Sequence, residues 1–200
     1  MIDVAPLAQA LGVPALHLRA LMLVECGGPG LLDGLPVIRL EVHRLWSLAH
    51  EAVRPAVDEH FHVAGPRAWE GHSWRPTPES GWTPLHQGGI PGQRAEWAAY
   101  HLAVELVGAD VATRATSWGA GQILGDWHAL GYASPTALVE AASSDEGQAD
   151  MLARYLRARP VLLDALRRGD WTTVATRYNG AGNADEYARR LTLAIHSLQR

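Results

Sequence analysis

The sequence has a single cysteine, no lysine and no long apolar run. With Cys26 alone, neither an internal disulfide nor a cysteine-based zinc cage can form. All 17 basic residues are arginine, which we interpret as a bias of the coding genome towards G and C. No window reaches about 18 uncharged apolar residues, so no transmembrane helix is predicted. Residues Met1–Val4 lack a basic start followed by an apolar run, so no secretory signal is predicted either.

Charge and composition narrow the class of protein further. The formal net charge of -4 argues against a nucleic-acid binder, because such proteins release counterions with a basic surface. The hydrophobic fraction of 48% is typical of an ordered globular chain, and 200 residues suffice for a sizeable core. We therefore expect one domain over residues 1–200 that acts as a monomer, with no nucleic-acid or membrane partner.

Apolar periodicity, capping residues and breakers predict a mainly α fold with at most a small β element. A short strand is expected at Pro36–Leu40. The segment Phe61–Gly92 is rich in Pro and Gly and contains scattered Trp, which predicts a long irregular loop. Helices are predicted at Ala5–Leu11, Pro14–Glu25, His43–His60 with a break before Pro55, Arg94–Val107, Asp110–Ala115, Gly119–Leu130, Pro135–Ala142, Glu146–Ala158, Val161–Arg168, Trp171–Tyr178 and Asp185–Leu198.

Glu25 is the residue whose position says most about chemistry. It ends an apolar helix, where the negative end of the helix dipole disfavours a carboxylate. Burial beside Leu21, Met22 and Val24 would act in the same direction and raise the proton affinity of the carboxyl. A carboxyl that keeps its proton near neutral pH is suited to general acid catalysis. The alternative is a surface Glu whose carboxylate reaches water beyond the end of the helix.

Four short blocks along the chain combine polar residues with glycine. They are Val24-Glu25-Cys26-Gly27-Gly28, Arg39-Leu40-Glu41-Val42-His43, Ser117-Trp118-Gly119-Ala120-Gly121-Gln122-Ile123 followed by Gly125, and Tyr178-Asn179-Gly180-Ala181-Gly182. In this order they resemble the blocks of goose-type lysozymes and lytic transglycosylases. They are more similar still to the phage-type N-acetylmuramidase family found in endolysins. The resemblance covers about 16–198 and implies a lysozyme-like fold.

The resemblance also implies roles for individual residues. Glu25 would protonate the glycosidic oxygen of peptidoglycan, at the β-1,4 link from N-acetylmuramic acid to N-acetylglucosamine. Tyr178 and Asn179 would position the substrate or the Glu25 carboxyl. The remaining substrate contacts would come from two of the blocks, at Cys26, Ser117, Trp118, Gly119 and Gln122. Two departures from the family pattern are Cys26, where a serine is expected, and Leu40, where an aromatic residue is expected before Glu41.

Hydrolysis needs a second group that activates water or stabilises the oxocarbenium ion. We favour Glu41, because it lies in a matched block, while Asp33 and Asp126 are alternatives. A structural role for Glu41 beside an arginine is equally compatible with the sequence. A carboxyl pair about 5 Å apart would indicate a retaining mechanism, and one about 6.5–9.5 Å apart an inverting mechanism. Without a second carboxylate, the N-acetyl group of the sugar could act, or its 6-hydroxyl, which gives a transglycosylase product.

Three other functions remain as alternatives. A zinc site could be imagined among His60, His62 and either His72 or His86, but no His-Glu-x-x-His helix is present, and we expect neither metal nor cofactor. The start of the chain resembles a helix-turn-helix DNA-binding protein, although its second helix looks buried. A cell-wall-binding module without activity would keep the fold, and the presence of Glu25 argues against it.

The route to the cell wall is open at this level. An enzyme that acts on peptidoglycan without a signal peptide needs another means of delivery. A phage lysis enzyme would leave through a holin pore, and a secreted bacterial effector would use a secretion-system carrier and have an immunity protein. Either would be made in the cytoplasm and act on the wall in the periplasm or outside the cell.

Overall fold

The computed structural model describes residues 3–26 and 29–200, except the side chains of Cys26 and Ala181. Gly27 and Gly28 of the first block lie outside the described residues. The described part of the chain contains ten α-helices and three small antiparallel sheets, which confirms the prediction of a mainly α fold. The helices are α1 (Val4–Leu11), α2 (Ala15–Cys26), α3 (Val42–Leu48), α4 (Arg54–His60), α5 (Gly89–Arg114), α6 (Pro135–Ala142), α7 (Asp145–Arg157), α8 (Pro160–Arg168), α9 (Trp171–Tyr178) and α10 (Ala184–Leu198).

Side-chain caps explain where several of these helices begin. The Ser134 hydroxyl accepts a hydrogen bond from the backbone N–H of Ala137 at 3.1 Å, and Pro135 occupies the first turn of α6. The Asp170 carboxylate accepts from the N–H of Thr173 at 3.1 Å at the start of α9. Because these signals are local, α6 and α9 have the bounds that the sequence predicts.

The hydrophobic core joins helices from the two ends of the sequence. Helix α2 packs against α10 and also contacts α1 and α8, while α9 packs between α8 and α10. Leu18 and Leu21 of α2 and Leu191 of α10 are fully buried in this core. The end of α2, which carries Glu25, is therefore fixed by a helix more than 150 residues later in the chain.

Three small sheets lie among the helices. Their strands are β1 (Leu31–Leu32) with β2 (Leu35–Pro36), β3 (Ile38–Leu40) with β7 (Thr116–Trp118) and β8 (Ile123–Leu124), and β4 (Phe61–Val63) with β5 (His72–Trp74) and β6 (Thr83–Pro84). In the β3–β7–β8 sheet, Ile38 pairs with Trp118 and both are buried. Since side chains alternate along a strand, the paired residues Arg39 and Ser117 lie on the opposite, more open face.

The outer edge of β3 is hydrogen-bonded by side chains of α5. Gln93 accepts from the N–H of Ile38 at 2.8 Å and donates to its carbonyl at 3.1 Å. The buried carboxyl of Glu96 accepts from the N–H groups of Leu40 at 2.9 Å and His86 at 2.6 Å. Burial raises the pKa of Glu96 to about 7. These contacts satisfy an exposed strand edge and hold the segment that carries Arg39 and Glu41.

Two expectations about local structure are wrong. The predicted helix Gly119–Leu130 is instead a tight loop leading into β8, because Gly119 (φ 66°) and Gln122 (φ 45°) have left-handed backbone conformations that interrupt a helix. The segment Phe61–Gly92 is not irregular throughout, since it contains β4, β5 and β6. None of the helices in the described part of the chain is long and apolar enough to cross a bilayer.

Candidate active site

Glu25 lies in the last turn of α2, against α10. The guanidinium of Arg190 on α10 donates to the Val24 carbonyl oxygen at 2.8 Å, where the free carbonyls at the end of α2 attract a cation. The hydroxyl of Tyr187, one turn earlier on α10, donates a hydrogen bond to Oε1 of Glu25. The carboxyl is therefore held between two helices and does not extend into open solvent.

Burial decides the protonation of this carboxyl. It raises the pKa of Glu25 above the ordinary value of 4.5, which is the direction expected from the apolar helix. The Tyr187 hydrogen bond opposes this shift, as do the positive charges of Arg190 and, more weakly, Arg39. The same arrangement raises the pKa of Tyr187, so its phenol remains a hydrogen-bond donor. Glu25 thus holds its proton more tightly than an exposed glutamate does, while Tyr187 and the two arginines favour its anion.

A row of tyrosines connects Glu25 with the Gly119–Gln122 loop. The ring of Tyr187 stacks on that of Tyr178, with centroids 6.5 Å apart and 19° between the planes. Tyr155 meets Tyr178 edge-on at 5.3 Å, and burial, with a smaller contribution from the negative charge of Glu25, raises the pKa of Tyr155. The Tyr178 hydroxyl donates to the Gly121 carbonyl oxygen at 2.8 Å. Three of the four sequence blocks therefore meet at one place.

Gln122 presents an unused acceptor at this place. Its side-chain amide donates to the Gly119 carbonyl at 2.9 Å, which fixes the orientation of the side chain. Its Oε1 is buried and has no hydrogen-bond partner among the described residues. A buried polar atom without a partner is costly, and a bound ligand is one way of satisfying it. This acceptor can serve an N–H or O–H group of a sugar only after the loop shifts to expose it.

Arg39 lies on the open face of the β3–β7 pair, and its positive charge acts on three carboxyl groups. Its positive charge lowers the pKa of Glu25, Glu41 and Glu96, in each case against a larger effect of burial. Ser117 lies opposite Arg39 across the two strands and is half-buried. This face combines a cation whose charge acts on Glu25 with a hydroxyl, and both can bind polar groups.

Glu41 has different neighbours from Glu25. It precedes the first turn of α3, and its Oε2 lies 3.8 Å from Nδ1 of His43 and 3.7 Å from Nδ1 of His72. Burial raises the pKa of Glu41, and the charge of Arg39 opposes that shift. Together these three side chains offer ligand atoms within 4.8 Å of one another and could hold a metal ion. The zinc alternative grouped His72 with the wrong histidines, since Nδ1 of His60 donates to the Arg75 carbonyl oxygen and His62 lies against Trp82.

The structure places other predicted site residues in the core or at the surface. Trp118 is a correction: it is 1% exposed and its indole N–H donates to the Thr113 carbonyl at 3.2 Å, so it supports the sheet and cannot meet a sugar. Gly119 is also buried, against Gln148. Asn179 is exposed at the end of α9. The side chain of Cys26 lies outside the described residues.

The two alternative carboxylates lie in turns. Asp33 is exposed in the turn between β1 and β2, where it forms an ion pair with Arg94 at 3.4 Å. Asp126 follows β8 and accepts from the backbone of Ala129 at 3.5 Å. Neither of these two contacts connects its carboxylate to Glu25.

Sequence reasoning missed Tyr187, the direct partner of Glu25. Tyr187, Leu191 and Ala194 share the buried face of α10 at a spacing of three to four residues, which is typical of core positions. The one signal that could have drawn attention to Tyr187 is its hydroxyl, because a buried phenol needs a polar partner.

Comparison with known proteins agrees with this geometry. A family model described as N-acetylmuramidase matches residues 14–199. No curated protein matches the chain. A crystal structure of the Burkholderia AP3 phage endolysin is similar, with a TM-score of 0.74 and 31% sequence identity over 99% of this chain and 70% of that one. The fold is therefore lysozyme-like, and the family that the four blocks predict is confirmed. This chain belongs to the N-acetylmuramidase family, as a lysozyme-type glycoside hydrolase of the peptidoglycan in the bacterial cell wall.

Proposed function

We propose that this chain, acting as a single domain, hydrolyses the β-1,4 bond from N-acetylmuramic acid to N-acetylglucosamine, with Glu25 as the general acid. The observation that carries the proposal is the buried Glu25 carboxyl held by Tyr187, joined through Tyr178 to the Gly119–Gln122 loop. Because Oε1 accepts the phenol hydrogen bond, Oε2 is left to carry the proton that goes to the glycosidic oxygen. Once that proton has left, Tyr187 and the two arginines stabilise the carboxylate.

The substrate is held by groups around this carboxyl. Gln122 Oε1 accepts a hydrogen bond from an N–H or O–H of the sugar, which gives this buried atom its partner. Ser117 and Arg39 provide a hydroxyl and a cation on the open face of the sheet, where a carboxylate of muramic acid or its peptide can bind. Tyr178 fixes the loop through Gly121, and Asn179 and Cys26 remain proposed contacts.

Glu41 is proposed as the second carboxylate. Its support is indirect: burial raises the pKa of both Glu25 and Glu41, and the positive charge of Arg39 acts against that shift in each. If Glu41 is dispensable, the N-acetyl group or the 6-hydroxyl of the sugar takes its place, and the latter gives an anhydro product. Mass spectrometry of the released muropeptides distinguishes a reducing sugar from the anhydro form.

The acid is tested by comparing lysis of purified peptidoglycan by wild type and Glu25→Gln. We expect the rate of turbidity loss to fall about 10²–10⁴-fold, because a general acid contributes that much. Glu140→Gln, an exposed change on α6, is the matched control and should keep its activity. Near-normal lysis by Glu25→Gln would remove the assignment, and binding of wild type to the wall without lysis would favour the non-catalytic module.

The segment that contains β4–β6 is proposed to form a wall of the groove. Trp69 and Trp82 in it are 56% and 42% exposed, and Arg75 lies over the Trp82 ring at 4.3 Å. Since Arg75 and His62 pack on Trp82, the more exposed Trp69 is the better platform for a pyranose ring. Trp69→Ala should weaken sedimentation of the protein with insoluble peptidoglycan, and unchanged sedimentation would count against the wall.

The oligomeric state of the protein and its route out of the cell are also proposed. The protein acts as a monomer and leaves the cell that makes it either through a holin pore or with a secretion-system carrier, in the second case accompanied by an immunity protein. Light scattering in solution tests the monomer, and the genes on either side of this one separate the two routes.

A further inference from the structure

We propose that Glu41, His43 and His72 bind one zinc ion. Their ligand atoms lie within 4.8 Å of one another, and Glu41 Oε2 is 3.8 Å from Nδ1 of His43 and 3.7 Å from Nδ1 of His72. Two ligands about 2.1 Å from a tetrahedral zinc ion lie about 3.4 Å apart. The pairs at 3.7 and 3.8 Å need to close by a few tenths of an ångström, and a pair at the 4.8 Å limit by about 1.4 Å, which rotation of the partly exposed His43 and Glu41 side chains can supply.

The proton positions in the cluster leave lone pairs where an ion would sit. His72 Nε2 lies 2.8 Å from the Ala68 carbonyl oxygen, which can only accept, so Nε2 carries the proton. In the neutral ring the lone pair is then on Nδ1, the atom that faces Glu41. His43 Nδ1 lies 3.4 Å from the protonated Nε2 of His72 and accepts from it, so its lone pair becomes available to an ion when the His43 ring turns away from that N–H. With that turn, two imidazole nitrogens and one carboxylate oxygen can reach the same ion.

The backbone elements and hydrogen bonds around the three side chains hold them in place. His72 is 2% exposed in the paired strand β5, while Glu41 and His43 are fixed at the start of α3. The bond from His72 to the Ala68 carbonyl is the outer contact that orients ligating histidines in zinc proteins. On the other side, His86 Nε2 donates to the Leu40 carbonyl oxygen at 3.1 Å and lies 3.3 Å from His72 Nδ1, so an ion bound at Nδ1 would displace this longer contact.

The donor set selects the kind of metal. Two histidines and one carboxylate suit zinc better than calcium or magnesium, which prefer oxygen ligands alone. The side chains of His43 and Glu41 are 29% and 17% exposed, so an ion can enter and a water molecule can complete the tetrahedron. Arg39 and Arg44 lie close enough to Glu41 to act on its charge, and both would weaken the binding of a cation.

Zinc binding and the proposed catalytic role of Glu41 exclude each other at any one moment, because a ligated carboxylate cannot also act as a base. Binding is therefore measured directly and not through lysis. The Glu25→Gln variant should bind zinc as wild type does, so a failure of the muramidase assignment and a failure of the zinc site can be told apart.

The test is calorimetric titration of the chelator-treated full chain with zinc chloride, followed by the absorption spectrum of the cobalt-loaded protein. We expect one zinc per chain, a tetrahedral cobalt spectrum, and an affinity at least about tenfold lower in His43→Gln and Glu41→Gln. His196→Gln, an exposed histidine change on α10, is the control and should bind normally. Arg44→Gln should bind more tightly. Absence of stoichiometric binding, or equal affinity in folded His43→Gln, would overturn the site.

Discussion

Replacing Tyr187 with phenylalanine removes the hydroxyl that donates to the Glu25 carboxyl and leaves the ring in place. That hydrogen bond lowers the pKa of Glu25, so its loss lets burial raise the pKa further. An acid with a higher pKa stays protonated to higher pH. The alkaline limb of the activity profile should therefore move to higher pH in Tyr187→Phe.

The cost in stability should depend on pH in a related way. A hydrogen bond to a charged group contributes about 1.5–3 kcal/mol and one between neutral groups about 0.5–1.5 kcal/mol. Tyr187 is 3% exposed, so solvent screening is small. For a chain of this length, 1 kcal/mol corresponds to about 2–4 °C in Tm. Tyr187→Phe should thus lower Tm by roughly 3–12 °C where Glu25 is ionised, and by roughly 1–6 °C where it is protonated.

Two measurements on the same protein check this reasoning: peptidoglycan lysis from pH 4 to 9, and thermal unfolding at the two ends of that range. Tyr100→Phe is the matched control, since it removes another buried hydroxyl, bonded to Thr113 Oγ1 at 3.0 Å. The control should lose Tm without a change in the alkaline limb. A limb that stays in place or moves to lower pH in Tyr187→Phe would refute the role given to the phenol.

Three further changes have outcomes that follow from single contacts. Gln148→Ala should lower the free energy of unfolding by about 3–5 kcal/mol in a denaturant titration, because this buried amide bonds three backbone groups on separate segments; a loss under 1 kcal/mol would contradict that. Gly125→Ala should unfold the chain or lower its free energy of unfolding by more than about 2 kcal/mol, because the added Cβ would lie 2.1 Å from the Thr113 carbonyl oxygen. In the control Gly81→Ala, the added Cβ meets nothing within 4 Å, so thermal unfolding should be nearly unchanged. A carboxyl whose pKa is raised in the folded state stabilises the fold at a pH below its unfolded pKa, and it loses that contribution as the pH rises through its folded pKa. The Tm of Glu25→Gln should therefore rise relative to that of wild type between pH 4 and pH 8. A constant difference in Tm would be evidence against burial as the cause.

The helices with local signals could be predicted well from the sequence. Ser134 with Pro135, and Asp170, specify their helix starts through bonds that span three residues, so α6 and α9 agree residue for residue. The loop at Gly119–Gln122 could not be predicted in this way. Its apolar spacing resembles a helix, and its left-handed residues are held by distant partners such as Gln148 and Tyr178. Strands of two or three residues, as in β4–β6, carry too little local pattern to be recognised.

The same distinction applies to the site. Glu25 and the loop of Gln122 were found because the blocks that contain them resemble a known family. Tyr187 lies outside every block and shares its helix face with core residues, so only the folded arrangement joins it to Glu25. Glu41 was found, but its pairing with His43 and His72 depends on the position of β5 against α3, which the sequence pattern does not specify.

The bond between Tyr187 and Glu25 spans 162 positions and ties the second helix to the last. A growing chain on the ribosome exposes the proposed acid early and obtains its phenol, and the helix that packs on α2, only when α10 has emerged and docked. A fragment that stops before α10 lacks both and should be inert, whereas Tyr187→Phe loses the phenol alone and remains an enzyme.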